Sequence, residues 1–268
     1  MLTMKRYFAY LPMFILLITT AAMLWHGPIL QLEHYHEFAD HSTWSGVPHA
    51  ADVLSNLGFA FVAVWGGSRL WAQRHRADVR RVWVGYQLFL GALLLTACGS
   101  TFYHLAPDNW RLIWDRLPIA LACAGLLVAA RAELIAGVNP RREAVVLAMF
   151  AVASVAWWYV TEQRGHGDLR PYLLLQGLPL ILIPLWQAIH GAARRDRVCF
   201  AVAIALYVLA KATEVHDHEL FALTGWITGH TLKHLLATAA SFVLVSAWVN
   251  RPDAAAAQPF ARNFCGSR

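Results

Sequence analysis

Charge is what this sequence has least of. Only 14% of its 268 residues are Asp, Glu, Lys or Arg, against 58% hydrophobic, whereas soluble domains carry about 25% charged residues. A soluble protein of this size can bury a large core but still needs a charged exterior, and too few charges are present to build one. Lipid is therefore the solvent for most of the chain. Cysteine is scarce as well. Cys98, Cys123, Cys199 and Cys265 are far apart and form no CxxC pair, and the first three lie inside apolar runs. That excludes a disulfide framework and a cysteine zinc site. Internal repeats, low-complexity linkers and signs of a second domain are also missing. The net charge of +6 does not mark a nucleic-acid binder, because the basic residues sit in short clusters between apolar runs and not in one stripe.

What is present is a series of apolar segments, each near the ~20 residues that a helix needs to cross a bilayer with its backbone satisfied internally. Eight spans are expected, at roughly 7–25, 51–72, 82–105, 111–130, 143–160, 171–190, 197–213 and 226–249. Basic residues orient them. Lys5 and Arg6, then Arg74, Arg76, Arg80 and Arg81, then Arg131, Arg141 and Arg142, then Arg194, Arg195 and Arg197, and finally Arg251, Arg262 and Arg268 occupy alternate connections. The four intervening loops hold only Arg164 and Arg170. Strict alternation supports the count of eight, since a missed helix would put basic loops on both sides. The expectation is an all-α polytopic bundle integral to a bacterial inner membrane, with both termini cytoplasmic. Its parts would be an N-terminal transmembrane anchor and external loop (1–50), a seven-helix core (51–249) and a disordered cytoplasmic tail (250–268). The first apolar run, about 19 residues, exceeds the ~7–15 of a signal-peptide core, so an uncleaved anchor is expected.

An ionisable side chain inside a membrane helix costs at least ~2.5–3.5 kcal/mol, so each needs a reason. The candidates are Asp52, Asn56, Ser100, His104, Asp115, Arg116, Lys211, His230, Lys233 and His234. Counting ~1.5 Å per residue, three helices bring Ser100 with His104, Asp115, and His230 with His234 to one layer within ~12 Å of the outer boundary. All histidines except His75 and His190 fall on that side or in that half of the membrane. His230 and His234, four apart, share a helix face and can present two imidazoles to one ion. His104 can supply the third. Three histidines with an open fourth position match a catalytic zinc site, and zinc both lowers the pKa of water and polarises a carbonyl, as amide or ester hydrolysis requires. Asp115 would then move the proton and Ser100 would bond the water or the developing oxyanion. Blander roles stay open: packing histidines, Asp115 paired with Arg116 or Lys233, Ser100 as a small residue for helix contact.

The strings Gly99-Ser100-Thr101-Phe102-Tyr103-His104, Asp115-Arg116-Leu117-Pro118 and Gly229-His230-Thr231-Leu232-Lys233-His234 together resemble the alkaline ceramidase family. The resemblance spans 51–249 and implies an intramembrane zinc amidase of seven helices, here with an extra helix in front. It implies zinc ligation by His104, His230 and His234, with Ser100 and Asp115 as catalytic groups. Asp52-Val53-Leu54-Ser55-Asn56-Leu57 is similar to the segment opening that family's first core helix. Eukaryotic members carry an acidic calcium-binding segment just before it. Here His49 stands where a glutamate would be sought, so a solvated acidic loop is expected in place of calcium, although Glu33, Glu37 and Asp40 could still gather a hard cation. The segment Glu214-Val215-His216-Asp217-His218-Glu219 is expected to be a solvated loop, with Lys211 and Glu214 paired at the membrane edge.

The leading expectation is hydrolysis of the amide of a membrane lipid, ceramide or a related N-acyl lipid, to a fatty acid and a long-chain amine. A non-enzymatic, receptor-like lipid binder on the same scaffold is the alternative, since the wider superfamily that the chain resembles includes adiponectin-receptor-like members. A metal or proton transporter fits less well, because such proteins hold substrate near the midplane and often show inverted repeats. No nucleic-acid partner is expected.

Overall fold

The computed structural model describes the backbone of residues 2–252, and side chains from Tyr10 onward. Among these residues seven helices are long and apolar enough to cross a membrane, and the protein is an all-α polytopic bundle. In chain order the elements are α1 (Leu2–His26), the two-residue strands β1 (Thr43–Trp44) and β2 (Val47–Pro48), α2 (Ala50–Ser55), α3 (Leu57–Ala72), α4 (Ala77–Leu105), α5 (Asn109–Leu134), α6 (Pro140–Glu162), α7 (Arg170–Ile189), α8 (Arg194–Val215), α9 (Asp217–Thr224) and α10 (Gly229–Val249). The segments expected at 143–160 and 197–213 are full helices, α6 and α8. The leading segment is helical too, with Tyr10–His26 as its apolar stretch. The expected tail falls mostly outside the described residues, as does Cys265.

Helix starts follow local chemistry. Asp108 caps α5 by accepting from Arg111 N (2.7 Å), Asn139 caps α6 through Arg142 N (3.1 Å), and Thr228 caps α10 through Thr231 N (3.0 Å), each satisfying an otherwise orphaned amide. Pro140 and Pro171 occupy first-turn positions, where a missing N–H removes nothing. Apolar side chains such as Leu57, Phe61, Met149, Val152 and Val208 point outward, as lipid solvation allows.

α4 and α5 form the closest pair of the bundle, with α3 packed on α4, α6 and α7 on α5, and α10 on α3 and α8. The pair is close because glycine removes side-chain bulk where the backbones meet. A Cβ on Gly85 would lie 2.5 Å from Ala129 N, one on Gly125 2.6 Å from Phe89 N, and one on Gly99 1.9 Å from Trp114 O. The last contact has a specific origin. Pro118 has no N–H to give the carbonyl four residues back, so Trp114 O is left without its helical donor. Gly99 lets α4 close over that carbonyl, which sets Ser100 beside Asp115. Gly99→Ala should therefore destabilise the fold by the upper part of the ~1–3 kcal/mol typical of overpacking, because the neighbour is backbone and cannot swing away. A thermal unfolding midpoint unchanged in detergent would refute that packing account.

The connections on the site side are tied down. Burial alone would raise the Asp168 pKa, but hydrogen bonds from Arg170 and Trp157 outweigh it and hold the carboxyl well below the usual range. Arg170 Nη1 also reaches Met23 O (3.3 Å), and Leu169 N bonds Ile29 O (2.8 Å), which stitches α1 to the bundle.

Candidate metal centre

α10 presents His230 and His234 one turn apart on its buried face, and α4 presents His104 from its last turn. All three are buried, His104 completely. One ligand atom from each lies within 4.8 Å of the others, so the three could hold a metal ion. Ring centroids are separated by 4.8 Å (His104 to His230), 5.1 Å (His104 to His234) and 4.8 Å (His230 to His234). Both nitrogens of His104 lack a hydrogen-bond partner. Two orphaned ring nitrogens at zero exposure are a rare and unfavourable arrangement, and a coordinated cation would supply the missing partner for one of them.

The surroundings orient the rings. Asn56 breaks the helix between α2 and α3: its N–H bonds Val53 O (3.4 Å) and the Phe59 N–H bonds Asn56 O (3.1 Å), three-residue steps within a four-residue ladder. Asn56 Nδ2 bonds Asp52 O (2.9 Å), and the Nδ1 of His234 lies 3.2 Å from the same oxygen and 2.8 Å from Ser55 Oγ. Those contacts leave the Nε2 of His234 for a ligand role. Asp52 sits behind the group, against the start of α10, and is completely buried. Its Oδ1 accepts from Thr231 Oγ1 (2.5 Å) and its Oδ2, 4.0 Å from His104 Nδ1, has no hydrogen-bond partner. A carboxylate behind a metal-binding histidine fixes the tautomer and strengthens the ligand. Asp52→Asn should keep the Thr231 contact and weaken metal affinity by about 10–100-fold, read by competition titration of the purified protein. Equal affinity in both proteins would exclude this role.

Lys233 was placed in the sequence only as a possible partner of Asp115. It pairs instead with Glu214 at the end of α8 (3.1 Å), which also pairs with Lys211. Lys233 Nζ also lies 2.7 Å from His230 Nε2. An ammonium and a metal ion cannot share one nitrogen lone pair, and Glu214 gives the ammonium a second partner when the imidazole takes a metal. The expected Lys211–Glu214 pair is present. The segment after it is exposed at His216, His218 and Glu219, as expected, but it is helical from Asp217 and Asp217 itself is buried. Asp217 Oδ1 accepts from His230 N (2.7 Å) and its Oδ2 from Ala39 N (2.9 Å), so one side chain caps α10 and pins the 27–49 segment onto it. Gly229 makes this possible, since a Cβ there would lie 2.1 Å from Thr213 O.

The 27–49 segment thereby becomes a cover. Phe38 lies with its ring 4.7 Å from His104 and 4.5 Å from His230. His36 Nδ1 lies 2.8 Å from Tyr103 OH. Asp40, expected as part of a solvated acidic loop, is buried and accepts from Ser42 N (2.9 Å) and Asp52 N (2.9 Å). It thus caps α2 from outside the helix, where the N-cap residue His49 provides no side-chain cap. Glu37 meets His34 at the surface. The three acids therefore do not gather, and the histidine trio is the metal-competent group among the described residues.

No family model, curated protein or solved structure matches the chain. The site thus stands on its own geometry, and that geometry continues below the histidines. A cavity of about 260 Å³ runs between α4, α5, α7, α8 and α10, with Ser100, Asp115, Lys233 and His234 at its head and Phe89, Phe200 and Leu244 deeper down. From His234 to Leu244 is ten residues of helix, roughly 15 Å. Asp115 and Ser100 are buried. Ser100 Oγ stands near the Asp115 carboxyl without closing a hydrogen bond to it. Arg116 does not pair with Asp115, since adjacent residues on a helix point in different directions. Its guanidinium lies over Trp158, 3.9 Å from the ring centre.

Proposed function

We propose that this protein is a zinc-dependent intramembrane hydrolase that cleaves the amide bond of ceramide or a related N-acyl lipid. The observation that carries the reading is a three-histidine group joined, through His234, to the head of a long apolar cavity that also holds a buried acid and a buried hydroxyl. Neither a packing role for the histidines nor a structural zinc site needs that cavity. From the loop charges, the site would face the outside of a bacterial inner membrane. The motifs that resemble the alkaline ceramidase family are the ones brought together.

His104, His230 and His234 would hold the zinc ion, which when bound supplies Lewis acidity and lowers the pKa of water towards 7. Asp115 takes the proton from the attacking water and returns it to the amine nitrogen as the C–N bond breaks. Ser100, whose hydroxyl has no partner of its own, donates to the carbonyl oxygen as negative charge develops there. Glu214 would hold the Lys233 ammonium once the His230 imidazole is taken by the metal. The apolar walls receive the acyl chain and keep bulk water from the reacting bond. The thin seam between α7 and α8 gives the chain a sideways route from the bilayer.

The test is incubation of purified protein with a ceramide labelled in its acyl chain. Labelled fatty acid should appear, stop on treatment with a chelator and return on addition of zinc. Labelled lipid retained intact by a zinc-loaded protein would make it a binder, and activity undiminished in metal-free protein would end the zinc reading.

A further inference from the structure

Arg116 has no task in the mechanism above, yet it is among the most deeply buried charges of the bundle, at 3% exposure. Three rings surround its guanidinium, with centres 3.9 Å (Trp158), 4.9 Å (Tyr35) and 5.6 Å (Tyr172) from its central carbon. Aromatic faces stabilise the charge but accept no in-plane N–H bonds in the way that a carboxylate does. Nε and Nη1 have no hydrogen-bond partner, and Arg116 forms no ion pair among the described residues. Arg116, Tyr35 and Tyr172 all line the cavity that holds Asp115 and His234. The charged lining comprises three cations, Arg116, Lys211 and Lys233, against two carboxylates, Asp115 and Glu214, and both lysines are taken by Glu214. The lining thus carries one net positive charge, and Arg116 is its cation without an ion pair among the described residues.

We infer that Arg116 receives a carboxylate carried by the acyl lipid in this cavity. A planar monoanion matches both the surplus charge and the two-pronged donor edge of a guanidinium. The inference rests on the hydrolase reading only in taking the ligand to be an N-acyl lipid or its product. The carboxylate belongs either to the amine half of the substrate, as in an N-acyl amino acid, or to the released fatty acid.

Uncleavable sulfonamide analogues separate these sources from each other and from turnover. Full-length protein in detergent is titrated with N-hexadecylsulfonyl-glycine, with the neutral N-hexadecylsulfonyl-ethanolamine and with palmitate. If the head group carries the anion, the glycine analogue binds roughly ten-fold more tightly than the ethanolamine analogue, as a charge-assisted contact predicts. Arg116→Gln then removes that margin and leaves the ethanolamine analogue within about two-fold. If the product carries it, the two analogues bind alike and palmitate alone loses affinity in Arg116→Gln. Analogues and palmitate that bind equally to wild type and variant overturn the inference. Arg116→Lys, which keeps the charge but not the fork, repeats the comparison should Arg116→Gln fail to fold. Arg116-dependent binding in a protein that proves to have neither zinc nor amidase activity would retain the anion site and discard the hydrolase reading alone.

Discussion

His104→Ala is expected to yield a folded membrane protein that no longer retains zinc. His230 and His234 would stay paired on α10, but two imidazoles from one turn do not enclose an ion. Loss of outer-shell partners alone weakens metal sites by about 10–100-fold, so loss of one of three ligands should exceed the top of that range. The metal-free stability should change little, because the substitution also removes two buried nitrogens that have no partner and whose desolvation opposes folding. A split outcome therefore identifies the role. Added zinc should raise the thermal midpoint of the wild-type protein, by linkage between binding and folding, and leave that of His104→Ala where it was. Stoichiometric zinc in the variant, or an equal rise in both proteins, would remove the basis for a metal centre. A collapse of metal-free stability would mark His104 as a packing residue.

Asp115→Asn should retain zinc and lose hydrolysis by about 10²–10⁴-fold, the range for removing a positioned general acid–base. The amide has the shape of the carboxyl but cannot carry the proton between water and the leaving amine. Asp115 has no ion-pair partner to lose: Lys233 is held by Glu214 and Arg116 by its aromatic neighbours. A purely structural effect would instead lower metal content and activity together. Activity within a few-fold of wild type at full zinc occupancy would assign proton transfer to another group.

The buried polar groups differ in how legible their burial is in the sequence, for one physical reason. Ser100, His104, Asp115, His230 and His234 are polar groups deep in apolar runs, where the cost of burial makes each of them conspicuous in the sequence, and the 3.6-residue turn puts the two α10 histidines on one face. Asp40 and Asp217 lie in connections that look solvated. Their burial depends on amides far away in the chain, Asp52 N for the first and Ala39 N for the second, and no local pattern signals such a partner. Phe38 gave no signal at all, because an aromatic residue in a loop is ordinary until the loop folds back over the three histidines.

The amino-acid sequence by itself determined the long apolar helices and their number in the core, because a bilayer imposes length and hydropathy on each segment separately. Only the tertiary structure decided that α4 and α10 bring three imidazoles within reach of one ion, that Asp52 stands behind them, and that Arg116 turns away from Asp115 into an aromatic cage. Those are relations between helices, set by glycine contacts, a proline-freed carbonyl and caps supplied from distant loops, and they exist only once the helices have packed.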